Sequence, residues 1–201
     1  MPPPREPVGA EVRGEDWDGR DLFGEVFTGV AFSDVDLTEV ADEGTVFTEC
    51  TFHDVRFNAS THDSAAFVNC TFTGCSFFDA TFTACKLVGS TFARCTFPLL
   101  KVTGGDWSFV GLRGADLRRT SFTSVRMREA DLSGVNGEGA MLREVDLSGA
   151  TLHRANLSGC DLRGSDLSTL DPMNVDLRRS TIGWQQAVQL AGALGLDVRP
   201  D

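Results

Sequence analysis

The chain has 201 residues, 41% of them hydrophobic, and a formal net charge of −11. That apolar content is ample for one packed domain, and no run approaches the ~20 apolar residues of a membrane-spanning helix. The acidic balance argues against direct nucleic-acid binding, which needs a basic patch.

The chain opens on "MPPPREP", polar and proline-rich with no apolar run behind it. It is expected to be a flexible tail over residues 1–10, neither signal peptide nor membrane anchor. From Val12 a different order begins. Steps of five reach Ile182 without an insertion, through Trp17, Leu22, Phe27, Phe32, Leu37, Phe47, Phe52 and Phe57, with leucine taking over later. Only Asp42, His62, Gly137 and Pro172 break the apolar rule at these centres. A helix returns its apolar residues every three or four positions and a strand every second one; five fits neither.

Two residues before each centre stands a small, mostly apolar residue, such as Val35, Cys70, Ala80 or Ala150, and two residues after it glycine dominates. Residues two apart in an extended chain face the same way, so the small and large residues both point inward. The next two residues turn the chain, and glycine makes tight backbone angles inexpensive. Each unit is one short side with a corner, and it buries its apolar face only when copies stack on it.

The first part of this region is the acidic one. Residues 11–60 hold 13 Asp or Glu against Arg13, Arg20 and Arg56, a net −10, while residues 61–201 stay within one charge of neutral. Asp34 and Asp54 are 20 residues apart with Asp36, Glu39 and Glu49 nearby, which makes these five the candidate contact acids. Asp42 and His62 are also 20 apart and replace apolar centres. One reading is a buried acid–imidazole pair serving chemistry with Ser60 or Ser64; the other is a mutually satisfied pair, or a side that bulges and turns both residues outward. Cys50, Cys70, Cys75, Cys85, Cys95 and Cys160 all fall in the small inward column. They read as reduced packing residues, and neither a CxxC pair nor a histidine partner suggests a metal. A reducing cytoplasm suits them.

Farther along, Arg118, Arg119, Arg178 and Arg179 share one face, with Asp116 and Asp176 placed to pair with them. Val68, Val88, Phe78 and Phe109 occupy outward columns as candidate partner contacts. The chain closes on "TIGWQQAVQLAGALGLDVRPD". Trp184, Val188, Ala191 and Leu194 fall on one helical face, and Gly195 suits the position just past a helix end. Residues 183–201 are therefore expected to cap the stack and carry a dimer contact.

The units "ADLRR", "ADLSG", "ANLSG" and "SDLST" resemble the A(D/N)LXX motif of pentapeptide-repeat proteins. The resemblance covers residues 11–182. It implies an all-β solenoid, a right-handed quadrilateral β-helix with 20 residues per coil, coils ~4.8 Å apart, and a short C-terminal capping helix. The acidic bias and the helical tail are similar to the topoisomerase-interacting branch, which includes the mycobacterial fluoroquinolone-resistance protein and the Qnr proteins. That likeness implies a cytoplasmic homodimer that mimics duplex DNA, binds DNA gyrase or topoisomerase IV, and confers resistance to fluoroquinolones. It implies no catalysis, no cofactor, no metal and no membrane. Two differences from the branch are visible: acidity peaks at the N-terminal end, and the unbroken register leaves no room for the loops of Qnr proteins. The alternative is a scaffold with an unrelated partner.

Overall fold

The computed structural model describes residues 10–199, so the expected tail lies outside the described residues except for Ala10. From Glu11 onward the chain forms a parallel β-solenoid in which paired residues lie 20 positions apart. Val12 pairs with Phe32, Leu22 with Asp42 and Phe27 with Phe47, and an isolated bridge joins Asp16 to Asp36. Four sides repeat in order. Face one stacks three-residue strands such as Ala31–Ser33, Thr51–His53 and Thr71–Thr73. Face two is held by single bridges, face three by a seven-stranded sheet that runs up to Met141–Arg143, and face four by the strands Val26–Thr28, Val46–Thr48 and Ala66–Val68 and then by bridges.

The corners explain the period. From Gly14 to Gly164 the residue two past each centre takes a left-handed conformation whether or not it is glycine: Gly14 has φ +64°, Asp34 +56°, Glu39 +55° and Phe109 +60°. For an L-residue that costs ~1–2 kcal/mol. The cost is offset by a hydrogen bond, since the corner N–H reaches a carbonyl of the next coil. Asp34 N donates to His53 O at 3.0 Å, as Gly14 N does to Ser33 O at 2.9 Å. Glycine is thus favoured at corners but not required there.

Inside, the N-terminal half is filled by ladders of rings. Phe32, Phe52, Phe72 and Phe92 stack at 4.9, 4.7 and 4.6 Å with planes within 7° of parallel. Phe27, Phe47 and Phe67 do the same on face four. The small inward column also carries hydrogen bonds. Cys50, Cys70, Cys75 and Cys85 donate their thiols to the carbonyls of Phe27, Phe47, Phe52 and His62, 23 residues earlier. Ser90 and Ser165 do likewise to Phe67 and Leu142. Cysteine and serine are therefore interchangeable there as small donors. Trp17 sits in the first coil and the buried Trp107 midway.

A local turn interrupts the corner bonding late in the coil. Near Pro172 the Arg154 amide reaches Asn174 O, 20 residues on, where Gly134 reaches His153 at the usual 19. Proline fixes φ near −65° and its short ring fills the centre poorly, so Asp171 and Asn174 bond to each other in a local turn. The register expected from the sequence continues beyond this turn, with Asn156 bridged to Asp176 and Asp161 to Thr181.

The helix α1 (Trp184–Ala193) closes the top. Its anchor is Gln186, whose Oε1 accepts from Gly183 N at 2.6 Å while Nε2 donates to Leu162 O and Ser165 O at 2.6 and 2.7 Å. Leu190, one turn on, packs against the core. Gly195, at φ +82°, ends the helix, with Leu196 N bonded to Ala191 O at 2.9 Å.

Candidate functional site

The buried polar group on face three is a connected chain. His62 Nδ1 lies 2.9 Å from Asp42 Oδ2 and its Nε2 3.0 Å from Ser60 Oγ. Asp42 Oδ1 accepts from Thr45 N. The Ser60 hydroxyl lies 2.8 Å from Phe57 O and 3.0 Å from His62 Nε2, so every polar atom of the group has a partner within the core. Ser60, His62 and Asp42 are also sealed from solvent, and the His62 ring stacks on Phe82 at 4.6 Å as one more rung of the ladder. Both residues point inward, so the side does not bulge outward, and the geometry is that of the mutually satisfied pair; Ser64 instead points outward to Asp63.

The acids are distributed around the rod. Asp34 and Asp54 occupy successive corners between faces one and two, Asp36 lies along face two, and Glu39 sits at its far corner. Glu49 stands apart, at the corner between faces four and one. Asp34, Glu39, Glu49 and Asp54 are exposed. Asp36 is different: Arg56 Nη2 lies 2.6 Å from its carboxylate. The hydrogen bond from Arg56, aided by those from Thr38, holds its pKa down to about 2. Arg13 pairs with Glu11 and Arg20 with Glu25. Once these pairs and buried Asp42 are set aside, nine acids of residues 11–60 stand outside any arginine pair: Glu15, Asp16, Asp18, Asp21, Asp34, Glu39, Glu43, Glu49 and Asp54, the last 3.0 Å from His53 Nδ1.

Face two changes sign along its length. Arg118 and Arg178 each grip the aspartate two residues before them, with Arg118 Nη2 2.6 Å from Asp116 and Arg178 Nη2 2.5 Å from Asp176. Arg119 and Arg179 make no ion pair among the described residues. Phe78 and Phe109 are about half exposed, whereas Val68 and Val88 are only partly so.

On α1 the apolar residues divide. Gln186 and Leu190 face the coil, while Trp184 (77% exposed), Val188 and Leu194 face away and Ala191 is half-buried. The cap is thus a polar plug, a role the sequence reading assigned to no residue; the pairing of Gln186 with helix position N3 was its one signal. Among the described residues no group of three His, Cys, Asp or Glu is placed to hold a metal ion, and no helix is long and apolar enough to cross a membrane.

Comparison with known proteins agrees on the repeat. Residues 111–136 and 138–168 match the family described as pentapeptide repeats, in 8 copies. No curated protein sequence matches the chain. Among solved structures it is similar to a trypsin-treated form of QnrB1, a plasmid-mediated fluoroquinolone resistance protein, with 23% identity, a TM-score of 0.47, and coverage of 94% of this chain and 98% of that one. It is also similar to HetL, a pentapeptide repeat protein involved in heterocyst differentiation regulation from the cyanobacterium Nostoc, with 16% identity, a TM-score of 0.40, and coverage of 88% and 86%. A third similarity is to a pentapeptide repeat protein of the Arabidopsis thaliana thylakoid lumen, with 20% identity, a TM-score of 0.27, and coverage of 85% and 80%.

Proposed function

From the premise that the chain is a pentapeptide-repeat protein, we propose that it is a non-catalytic mimic of duplex DNA that occupies a type II topoisomerase, DNA gyrase or topoisomerase IV, and so blunts fluoroquinolone poisons. The observation that carries this reading is the density of free charge. Residues 11–60 make two and a half coils, ~12 Å of rod at strand spacing. Duplex DNA presents about seven charges over that length. Nine acids remain after the arginine pairs are removed, so the surviving field still matches a duplex. The corner geometry supports the same reading, because it pushes Asp34, Glu39, Glu49 and Asp54 outward at the coil repeat.

The outward face of α1, with Trp184, Val188 and Leu194, is the proposed homodimer contact, and Ala191 borders it. A dimer joined there leaves two acidic ends at the tips. Six free cysteines suit a reducing cytoplasm.

The test is DNA supercoiling by purified gyrase. Inhibition should fall as DNA is added, because a mimic loses to its competitor. It should also fall when Asp34→Asn, Glu39→Gln, Glu49→Gln and Asp54→Asn are combined, with the fold unchanged, since exposed charges contribute little to stability. Inhibition indifferent to both would overturn mimicry by this segment. No effect on any type II topoisomerase would leave the scaffold reading in its place.

A further inference from the structure

The inter-coil ladder on face two is broken at one step. Below the break Phe77 N bonds Thr96 O at 2.8 Å, Asp79 N bonds Pro98 O at 2.9 Å and Thr96 N bonds Cys75 O at 3.0 Å. Above it Leu117 N bonds Asn136 O at 2.8 Å and Asn136 N bonds Ala115 O at 2.9 Å. Between them the equivalent amides of Arg94, Phe97, Leu99 and Asp116 have no partner among the described residues. Neither do the carbonyls of Cys95, Arg113, Asp116 and Arg118 that would complete the step. The bridge joining residues 96 and 116 is missing from a column that is bridged from Asp16 to Thr96 and again from Asp116 to Asp176. Adjoining sides remain closed, with Phe92 N on Gly111 O and Ser121 N on Leu100 O, both at 2.9 Å.

The opening reaches the wall of the core. Cys95 and Ala115 are half-buried, whereas Val55, Cys75, Val135 and Ala155 of the same column are buried. Phe97 stands 5.5 Å from Phe77, against 4.8 Å between Phe57 and Phe77. A solvent-open slot of about 620 Å³ results, with Cys95, Phe97, Pro98, Arg118, Arg119 and Glu138 among its walls.

We propose that this slot binds an acidic, extended polypeptide segment of a partner protein, which inserts its backbone between the two coils. Both edges alternate free N–H and C=O groups, as an unpaired strand does, and such edges are met by another strand. Phe97 and Leu99 offer amides from one edge, and Asp116 and Arg118 offer carbonyls from the other. A nucleic-acid backbone supplies acceptors without donors and would leave those carbonyls unmet. Charge selects the acidic segment. Arg119 lines the slot, and Arg94 and Arg113 precede its two edges in the chain; all three are exposed and none is in an ion pair among the described residues. Against these three stand Glu138 in the slot and Asp131, whose carboxyl Ser133 chiefly and Arg113 in part hold low, while Asp116 is held by Arg118. A five-residue extended segment spans ~17 Å, with alternate side chains toward the half-buried Cys95 and Ala115 and toward solvent, so apolar–acidic alternation suits it.

The site is separate from the acidic end and is tested without a topoisomerase. Amide hydrogen exchange, resolved by NMR on the full-length protein, should show Phe97, Leu99 and Asp116 exchanging far faster than Phe57, Phe77 and Leu117. The blocked pentapeptide Glu-Val-Glu-Val-Glu, at millimolar concentration, should slow those three amides by about tenfold or more. The Lys-Val-Lys-Val-Lys peptide and a single-stranded oligonucleotide should not. Arg94→Glu combined with Arg119→Glu should weaken the acidic peptide by roughly tenfold, or 1.4 kcal/mol, without altering exchange elsewhere. The proposal fails if Phe97 and Leu99 are as protected as Phe77 in the free protein. It also fails if the acidic peptide changes nothing, or if the basic peptide or the oligonucleotide protects equally.

Discussion

At the scale of single residues, His62 and Asp42 show how the solenoid tolerates polarity at its axis. Each satisfies the other, and the ring keeps its place in an aromatic ladder. Removing one partner leaves the other buried and uncompensated. His62→Phe alone should therefore cost ~3–5 kcal/mol, while Asp42→Leu with His62→Phe should be neutral or stabilising. Urea denaturation of the two variants checks this; equal losses in both would show that the pair is not coupled. Gly137 offers the opposite opportunity. It leaves a void of about 10 Å³ among Leu117, Leu142 and Leu157. A methyl added there meets Leu157 Cδ2 at 3.2 Å, and that flexible group has the void to move into. Gly137→Ala should thus stabilise by ~0.4–1 kcal/mol, whereas Leu157→Ala should cost ~2–5 kcal/mol. Thermal melts read both signs. Burial pushes Cys85 up to about 12 and Cys160 up to about 11. Cys95, half-buried at the slot, should be the first thiol labelled under native conditions, as mass spectrometry of modified peptides would show.

At the scale of the element, each side is held by bonds that two kinds of residue make alike. The corner amide bonds identically from glycine and from aspartate, and the small column donates identically from cysteine and from serine. Charge adds a pH dependence. Asp36 and Asp161 are held down to about 2, chiefly by hydrogen bonds from Arg56 and Arg163. An unfolded aspartate titrates near ~3.9. The contribution of these pairs is then complete above about pH 4 and is lost as pH falls toward 2. Both pairs are exposed, so the loss is modest after solvent screening. Stability followed from pH 7 downward should stay level and then decline below about pH 4. Arg56→Gln together with Arg163→Gln should flatten that decline; an unchanged slope would place the acid sensitivity elsewhere.

For the whole molecule, the open top of the last coil is covered by one glutamine and one leucine. Gln186→Ala frees two carbonyls and the helix entry together. Deleting residues 183–201 should give aggregates or monomers in sedimentation, since strand edges and core are then uncovered. A truncated protein that remains a well-behaved dimer would move the proposed interface. Much of this architecture was legible because a period of five has one geometric solution, with large, small and corner positions fixed relative to each other. Asp42 and His62 were legible as a pair because 20 residues is one coil. The slot was not, because Cys95, Phe97, Ala115 and Leu117 obey the repeat on both sides of it; only the hydrogen-bond pattern differs. The anchoring of α1 was hidden for another reason. Apolar spacing marked Trp184 and Val188, which face away from the coil, while a polar residue seals the end.

The absence of tyrosine and the placing of three tryptophans turn the rod into an optical ruler. Trp17 reports on the first coil, Trp107 on the middle and Trp184 on the closing helix, with exposures of 8, 1 and 77%. Emission from the middle of the rod should be blue-shifted and that from the helix red. Single-tryptophan variants would then reveal by colour which end frays first, and whether the helix becomes shielded as concentration rises.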